Sequence, residues 1–289
     1  MQEKIYETNK GKIHYWINRK PGHGEFTLVF LPGLTADHRL FNAQLDFFRS
    51  KYPILVWDPP GHGLSWPFIL DFTLEDKARW LEDILLQEQA ASPILVGQSM
   101  GGYVAQMYSM LYPNRIKGFV SIDSAPLERK YSTDIEIWLL KRMEPVYHLY
   151  PWKLLLWSGT RGVSCTNYGR TLMKDMMMTY QSDKSRYARL AGHGFRILAQ
   201  AIEQDLSYPI PCPAVLIAGK KDNAGSCKRY TRKWHKETGL PLYWIANAGH
   251  NANTDAPEEV NKIIENLVEQ SAQTAKDGLL TKNPKTAKR

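Results

Sequence analysis

Short, mostly apolar runs recur along the chain and predict a series of buried strands. They lie at residues 26–31, 54–57, 93–96, 116–122, 214–218 and 242–246. Two more strands are predicted at residues 4–8 and 12–18, because Asn9, Lys10 and Gly11 between them supply hairpin turn chemistry. A strand that is apolar throughout indicates burial on both faces, as in a parallel sheet.

Between these strands, apolar residues recur at helical spacing. Helices are predicted near residues 37–50, 73–90, 103–112, 225–238 and 257–270. The second has a plausible N-cap pair, Thr73 and Asp76, and an apolar face made of Leu74, Ala78, Leu81 and Leu85. Strands that alternate with helices predict an α/β fold with a mainly parallel central sheet flanked by helices. Ligands bind such sheets at the carboxyl ends of the strands.

Residues 125–208 break this alternation. The segment is rich in helix formers, aromatic residues and methionines. Most of its aromatic residues and methionines are expected to pack between helices. No internal repeat is visible, and the only compositionally biased segment starts at residue 271.

The charge is unevenly distributed. The formal net charge is +8, and half of it lies in residues 271–289, which lack aromatic residues and apolar periodicity. We expect this basic tail to be disordered. The rest of the chain shows no strong basic stripe, so nucleic-acid binding is not predicted.

Cysteine usage and the chain termini indicate a cytoplasmic protein. Cys165, Cys212 and Cys227 are an odd number at wide spacing, which predicts neither a disulfide framework nor a zinc site. The polar first twelve residues do not resemble a signal peptide. No apolar run approaches roughly 20 residues, so no membrane span is expected.

The strongest chemical motif is G-x-S-x-G at residues 97–101, between a predicted strand and a predicted helix. Gly97 and Gly101 let the strand and the helix approach closely, and the tight turn presents the Ser99 hydroxyl above the sheet edge. The Met100 backbone N–H, at the start of the helix, points towards the same place, where developing negative charge is favoured.

This strand, turn and helix resemble the nucleophile elbow of the α/β-hydrolase family. The sequence of residues 58–65 is similar to the family's Asp-x-x-Gly-x-Gly-x-Ser turn, and the resemblance covers nearly all of residues 4–270. It implies an α/β-hydrolase fold with an inserted helical cap. The expected division is a core of residues 1–124 and 209–270, a cap of residues 125–208 and a tail of residues 271–289.

The resemblance also implies the partners of Ser99. The family's order is serine, acid, histidine, and His250 lies after the last predicted strand, at the family's base position. Asp222, just beyond the strand at residues 214–218, occupies the usual acid position. Asp123, after the preceding strand, is the competing acid, since some members place it there. We favour Asp222, with Asp123 in a hydrogen-bonding role.

The oxyanion hole of the family is made of two backbone N–H groups. Met100 is expected to provide one and Leu34, in the loop after residues 26–31, the other. Pro32 stands where the commonest family pattern has His, a change that leaves a backbone donor intact. His62 is expected to pack structurally rather than to act as a second base.

These residues predict a serine hydrolase with a helical cap that cleaves a small or medium carboxylic ester, without cofactor or metal. Open alternatives are acyl transfer, a receptor that retains the triad, and a carbon–carbon bond hydrolase. For the last, cap cations would bind carboxylates, with these candidates: Arg161, Arg170, Arg186, Arg189 and Arg196. Serine at position 99 argues against the aspartate-dependent dehalogenases and epoxide hydrolases. The expected partner is a small acyl substrate, and the sequence does not indicate an oligomeric state.

Overall fold

The computed structural model describes residues 1–18, 26–90 and 92–282, and within them one eight-stranded sheet organises the chain. Its spatial order is β1-β2-β4-β3-β5-β6-β7-β8. The strands are β1 (Gln2–Thr8), β2 (Gly11–Asn18), β3 (Thr27–Leu31), β4 (Ile54–Trp57), β5 (Pro93–Gln98), β6 (Gly118–Ile122), β7 (Ala214–Gly219) and β8 (Leu242–Ile245). Strands β1 and β2 pair antiparallel, as do β2 and β4, and the other pairs are parallel.

Helices connect the strands and cover both faces of the sheet. The helices of the described residues are α1 (Asn42–Phe48), α2 (Leu74–Gln87), α3 (Met100–Leu111), α4 (Asp134–Leu140), α5 (Met143–Leu149), α6 (Trp152–Val163), α7 (Asn167–Met178), α8 (Lys184–Glu203), α9 (Cys227–Thr238), α10 (Ala252–Asp255) and α11 (Pro257–Lys282). A 3-10 turn, His38–Phe41, precedes α1, so the helix predicted over residues 37–50 is divided in two.

The strand patterns follow from this layering. Every residue of β3, β4, β5, β6 and β7 is buried, because helices cover both sides of the central strands. In the second strand, Ile13, Tyr15 and Ile17 are buried and alternate with partly exposed residues, as one-sided burial requires. The predicted α/β fold with a mainly parallel sheet is confirmed.

The second helix shows how local sequence positions an element. Thr73 accepts a hydrogen bond from the Asp76 N–H, and the Asp76 side chain accepts one from the Thr73 N–H, which is a capping box. The buried face of α2 contains the four predicted apolar residues, and it also contains Lys77 and Glu82. The two charged residues were not predicted to be buried.

The alternation breaks where the sequence predicted it. Five consecutive helices, α4 to α8, lie between β6 and β7 without an intervening strand. The longest of them, α8, contacts α2, α4 and α5. The exact division at residues 124/125 and 208/209, and the function of these helices as a cap, stay predictions at this point.

The expectation of a disordered tail from residue 271 is wrong for its first part. The last helix continues to Lys282, and Ser271 is only 3% exposed. The buried face of this helix, which includes Ile264, Leu267 and Val268, extends past residue 270, because Ser271 occupies the next inward position. Residues 283–289 lie outside the described part of the chain.

Two further expectations concern chemistry outside the sheet. Cys165, Cys212 and Cys227 are free cysteines. None of the described helices combines the length and the apolar composition needed to cross a membrane. A cytoplasmic location stays a prediction.

Candidate active site

Ser99 lies in strained backbone between the end of β5 and the start of α3. Its φ of 49° and ψ of −115° fall where residues other than glycine are rare. The strain is held in place by close packing on both sides. A β-carbon at Gly101 would stand 1.8 Å from the Leu31 carbonyl oxygen, and one at Gly97 would stand 2.5 Å from the Gly101 backbone. Only glycine fits either position, so the motif spacing has a direct steric cause.

The structure brings Ser99, His250 and Asp222 together in one hydrogen-bonded chain. His250 Nε2 lies 2.8 Å from Ser99 Oγ, and His250 Nδ1 lies 3.1 Å from Asp222 Oδ2. The other carboxylate oxygen of Asp222 accepts a hydrogen bond from the Ala224 N–H at 2.7 Å. Asp222 follows β7 and His250 follows β8, so adjacent parallel strands deliver both side chains to the edge where β5 ends.

The charges around His250 favour a basic imidazole. Burial works against a charged His250, but the hydrogen bond and the negative charge of Asp222 outweigh it, so the pKa of His250 is raised above 6.5. A His250 that receives a proton from Ser99 would therefore be stabilised by a neighbouring carboxylate. This arrangement can activate a serine hydroxyl as a nucleophile.

Asp123, the competing acid, makes different contacts. It is fully buried, and its two oxygens accept hydrogen bonds from the Gly219 N–H at 2.7 Å and the Ala252 N–H at 2.9 Å. Burial raises the pKa of Asp123 to about 8. The carboxyl group thus ties β7 to α10 beside the His250 loop, and it is Asp222 that hydrogen-bonds to the imidazole.

The two predicted oxyanion donors both lie next to Ser99. Met100 is the first residue of α3, and the first N–H groups of a helix have no acceptor within it. A β-carbon at Gly33 would lie 3.2 Å from Ser99 Cβ, so the loop that carries Leu34 passes directly beside the serine. The following residue, Thr35, has a φ of 63°, which marks a sharp turn. Whether both N–H groups bind an oxyanion stays a prediction.

The turn at residues 58–65 is held by hydrogen bonds to the buried side chain of Asp58. Asp58 is fully buried, and it accepts hydrogen bonds from the backbone N–H groups of His38 and Leu64. His62 Nδ1 lies 3.0 Å from the Pro60 carbonyl oxygen, and burial holds the pKa of His62 well below 6.5. Among the described residues His62 has no hydrogen bond to Ser99, His250 or Asp222, and its structural role stays a prediction.

Two side chains that support the His250 loop were not identified from the sequence. Gln98 Nε2 donates to the His250 carbonyl oxygen at 2.8 Å and to Asn251 Oδ1 at 3.1 Å. Asp255 Oδ2 accepts from the Gly249 N–H at 2.8 Å. The x position of G-x-S-x-G carries no constraint in the motif, which is why Gln98 gave no signal.

Asp255 also binds the junction between α6 and α7. It accepts hydrogen bonds from the Ser164 and Thr166 hydroxyls and from the backbone N–H groups of Cys165 and Thr166. The Asn251 N–H donates to the Val163 carbonyl oxygen at 2.8 Å. The residues on both sides of His250 are thus attached to the helices inserted after β6.

Among the described residues, two groups of side chains have donor atoms close enough to hold a metal ion, within 4.8 Å of one another. They are Asp222, Cys227 and His250, and Asp37, His38 and Asp58. In the second group, Asp37 pairs with Arg39 and Asp58 with His38, so protein donors already engage these carboxylates. In the first group the hydrogen bonds to His250 and Ala224 do the same, and we assign a metal to neither.

The five arginines that are candidates for carboxylate binding make separate local contacts. Arg161 lies over the Trp157 ring, Arg170 donates to the Ser164 carbonyl, Arg189 pairs with Asp183 and Arg196 pairs with Glu144. Only Arg186 is buried, and its Nη2 lies 3.3–3.4 Å from the Gly63 and Gly61 carbonyl oxygens.

Comparison with known proteins places the chain in a family. The model of the alpha/beta hydrolase family matches residues 28–263. The chain is 22% identical over 267 residues to (E)-2-((N-methylformamido)methylene)succinate hydrolase of Acinetobacter baylyi, covering 91% of this chain and 96% of the relative. It is 23% identical over 270 residues to serine hydrolase BPHL of Mus musculus, covering 89% and 83%.

A solved structure shares the fold. The thermophilic esterase from Thermogutta terrifontis, with malate bound, superposes with a TM-score of 0.76 at 19% identity. The superposition covers 94% of this chain and 99% of the esterase. At this identity the match supports the architecture alone.

Proposed function

Because the chain belongs to the alpha/beta hydrolase family of enzymes, we propose that it is a serine hydrolase that cleaves a small or medium carboxylic ester with Ser99, His250 and Asp222. The observation that carries the proposal is the hydrogen-bonded chain from Ser99 Oγ through His250 to Asp222, at 2.8 Å and 3.1 Å. Ser99 and His250 are 151 positions apart in the sequence, and His250 and Asp222 are 28 apart, so the folded chain brings distant residues together at one place.

The first half of the reaction forms an acyl-enzyme. Ser99 Oγ attacks the ester carbonyl carbon while His250 Nε2 takes the hydroxyl proton, and Asp222 stabilises the imidazolium. The carbonyl oxygen becomes an oxyanion, which the N–H groups of Leu34 and Met100 bind, each worth about 3 kcal/mol of the barrier. The intermediate collapses, the carbon–oxygen bond to the alcohol breaks, and His250 returns its proton to the departing alcohol.

The second half regenerates the enzyme. A water molecule attacks the acyl-enzyme, and His250 Nε2 takes one of its protons. When the bond to Ser99 Oγ breaks, the proton returns to the serine and a carboxylic acid leaves. No step requires a metal or an organic cofactor.

We further propose that the inserted helices act as a cap that shapes the acyl pocket. Two contacts support this role. The Leu34 side chain packs against Gly194 of α8, where an added β-carbon would stand 2.3 Å from Leu34 Cδ1. Asp255 joins the Gly249 N–H to the start of α7. A cap attached to both the oxyanion loop and the His250 loop can restrict which acyl groups reach Ser99.

The proposal is tested by covalent labelling with a fluorophosphonate. Wild type and the exposed-serine control Ser182→Ala should be labelled at equal rates, and Ser99→Ala should not be labelled. Nitrophenyl esters of increasing acyl length then report the size of the pocket. Equal labelling of Ser99→Ala and wild type, with both folded by circular dichroism, would contradict the mechanism.

A carbon–carbon bond hydrolase remains the second candidate, with Arg186 as its one buried cap arginine. Turnover of a carboxylate-bearing diketone, together with inertness to aryl esters, would favour it over the ester hydrolase.

A further inference from the structure

Four basic side chains are buried together where α2, α8 and the loop of residues 58–72 meet. We call them the buried basic cluster: His62, Lys77, Arg186 and His193. All are at most 8% exposed. Burial is the main cause of the low pKa of both histidines. The positive charge of Lys77 lowers both pKa values further and that of Arg186 lowers the pKa of His62, so Lys77 lies near both histidines and Arg186 lies near His62.

Lys77 is the centre of the cluster. It is 2% exposed, because it shares the inward face of α2 with Leu74, Ala78 and Leu81. Its Nζ lies 5.6 Å from the centre of the Phe72 ring. Among the described residues no carboxylate forms an ion pair with Lys77, and burial is the only cause that shifts its pKa. A buried ammonium without a counter-ion is strongly unfavourable in a folded protein.

His193 lies against the same phenyl ring. Its imidazole is 3% exposed and meets Phe72 edge to face, with ring centres 4.4 Å apart. Neither ring nitrogen makes a well-aligned hydrogen bond within the described part of the chain. The Phe72 carbonyl lies close enough to raise the pKa of His193, but burial and Lys77 dominate and lower it to about 3. His62 Nε2 likewise has no partner among the described residues.

Arg186 adds a charge that is held by aromatic rings. Its guanidinium carbon lies 4.7 Å from the centres of the Trp66 and Tyr180 rings. Its Nη2 makes only long hydrogen bonds, to the Gly61 and Gly63 carbonyls, and its Nε has no partner among the described residues. Arg186 therefore contributes positive potential to the cluster from one side.

The acids nearest the cluster are engaged elsewhere. Asp71, which acts on His193, forms an ion pair with Lys10. Asp183, which acts on Arg186, accepts from the Arg186 backbone N–H as the N-cap of α8. Asp37 and Asp58 pair with Arg39 and His38. Within the described part of the chain, none of these four carboxylates forms an ion pair with Lys77 or His193.

We propose that the buried basic cluster binds a small carboxylate, with Lys77 and His193 as its direct ligands. An ammonium and an imidazole N–H are donors that a carboxylate accepts in charge-assisted hydrogen bonds. One carboxylate would give the orphaned donors a partner and neutralise Lys77. Burial alone lowers the pKa of Lys77 to about 8, and a bound carboxylate would raise it again.

The carboxylate can belong to a free acid or to the substrate itself. The second case rests on the proposed function. It is supported by one contact: His193 precedes Gly194, and Gly194 packs against the side chain of Leu34, in the loop beside Ser99. The cluster and the reaction centre thus share the contact between α8 and the oxyanion loop. The ester substrate would then carry a second, free carboxylate on its acyl or alcohol part.

The first experiment measures binding without catalysis. The melting temperature is followed in increasing sodium acetate at constant ionic strength, with acetamide as the neutral analogue. We expect acetate to stabilise wild type in a saturable way, since a ligand of the native state raises its stability. Arg79→Met is the matched control, because it removes an exposed charge from the same helix, and it should respond like wild type. Lys77→Met and His193→Leu should lose the response.

The melting temperature in the absence of acetate provides a second readout. Without acetate, Lys77→Met should melt above wild type, because it removes an uncompensated buried charge and keeps a chain of similar length. An absent acetate effect in wild type, or an unchanged effect in folded Lys77→Met, would overturn the proposal, whether or not the protein hydrolyses esters.

Kinetics then identify the source of the carboxylate. A monoester of a dicarboxylic acid is compared with its methyl-capped diester. If the substrate supplies the carboxylate, Lys77→Met lowers kcat/KM for the monoester at least tenfold, mainly through KM, and leaves the diester unchanged. If Lys77→Met leaves kcat/KM unchanged for both esters, while acetate stabilises wild type and does not stabilise Lys77→Met, the site binds a free acid. Equal fluorophosphonate labelling of wild type and Ser99→Ala would refute the proposed function and leave the melting result standing.

Discussion

Asp255 accepts a hydrogen bond from the backbone N–H of Gly249, the residue before His250, at 2.8 Å. The same carboxylate accepts four more hydrogen bonds from residues 164–166, at the junction of α6 and α7. One side chain therefore fixes the backbone on the amino side of His250 relative to the inserted helices. Neither Asp255 nor Gly249 contacts the serine, but both determine where the imidazole lies.

Asp255→Ala should lower both activity and stability. It leaves several donors without a partner, and we expect the free energy of unfolding to fall by about 2–3 kcal/mol. Because the His250 loop loses its anchor, kcat for a nitrophenyl ester should fall at least about tenfold. Urea unfolding and steady-state kinetics measure the two effects. The exposed-acid control Glu269→Ala should leave both near wild type. If the free energy of unfolding falls as predicted but kcat is unchanged, the His250 loop keeps its position without Asp255.

Replacing Asp222 by Asn should change the pH profile as well as the rate. His250 must be neutral to accept the Ser99 proton, so kcat/KM rises with pH through the raised pKa of His250. Asp222→Asn removes the main cause of that shift, so the acid limb should move to lower pH. The rate should fall by roughly 10³–10⁴-fold because the tautomer and the imidazolium are no longer stabilised. A profile that stays in place would refute Asp222 as the partner of His250.

Asp123→Asn should affect stability more than catalysis. Burial raises the pKa of Asp123 to about 8 from an ordinary value of 3.8, so the native state holds this proton longer than the unfolded chain. Its contribution to stability is complete below pH 3.8 and is lost as pH rises through about 8. Unfolding measured from pH 4 to 8 should therefore decline less steeply in Asp123→Asn than in wild type. A rate loss as large as that of Asp222→Asn would reassign the acid.

Two glycine substitutions should have opposite effects. In Gly101→Ala the new methyl group would stand 1.8 Å from the Leu31 carbonyl oxygen, so the elbow must open, at a cost of about 3 kcal/mol or more, and labelling of Ser99 should fall. At Gly162 of α6, nothing lies within 4 Å of an added β-carbon. Gly162→Ala should therefore raise stability by about 0.5–1 kcal/mol through helix propensity. Equal melting temperatures for the two variants would contradict the packing described around Ser99.

What could be predicted from the sequence was local. Apolar runs report strands buried on both faces, and G-x-S-x-G between a strand and a helix reports a tight turn, because both depend on residues that are neighbours in the chain. The order of strands and motifs then placed Ser99, His250 and Asp222 at one edge of a parallel sheet. The structure brings these three side chains within hydrogen-bonding distance.

What only the tertiary structure decided depends on residues far apart in sequence. Asp123 and Asp222 both follow strands, and only the path of the β7 loop shows which one reaches His250. A lysine in an amphipathic helix usually faces water, so the sequence predicts an exposed Lys77. Lys77 is buried instead, because α8 packs onto α2. The last helix passes residue 270 because its inward face still meets the core at Ser271. The periodicity of apolar residues shows which face of a helix or strand is buried. Which residues cover that face depends on how segments that are distant in the sequence pack together.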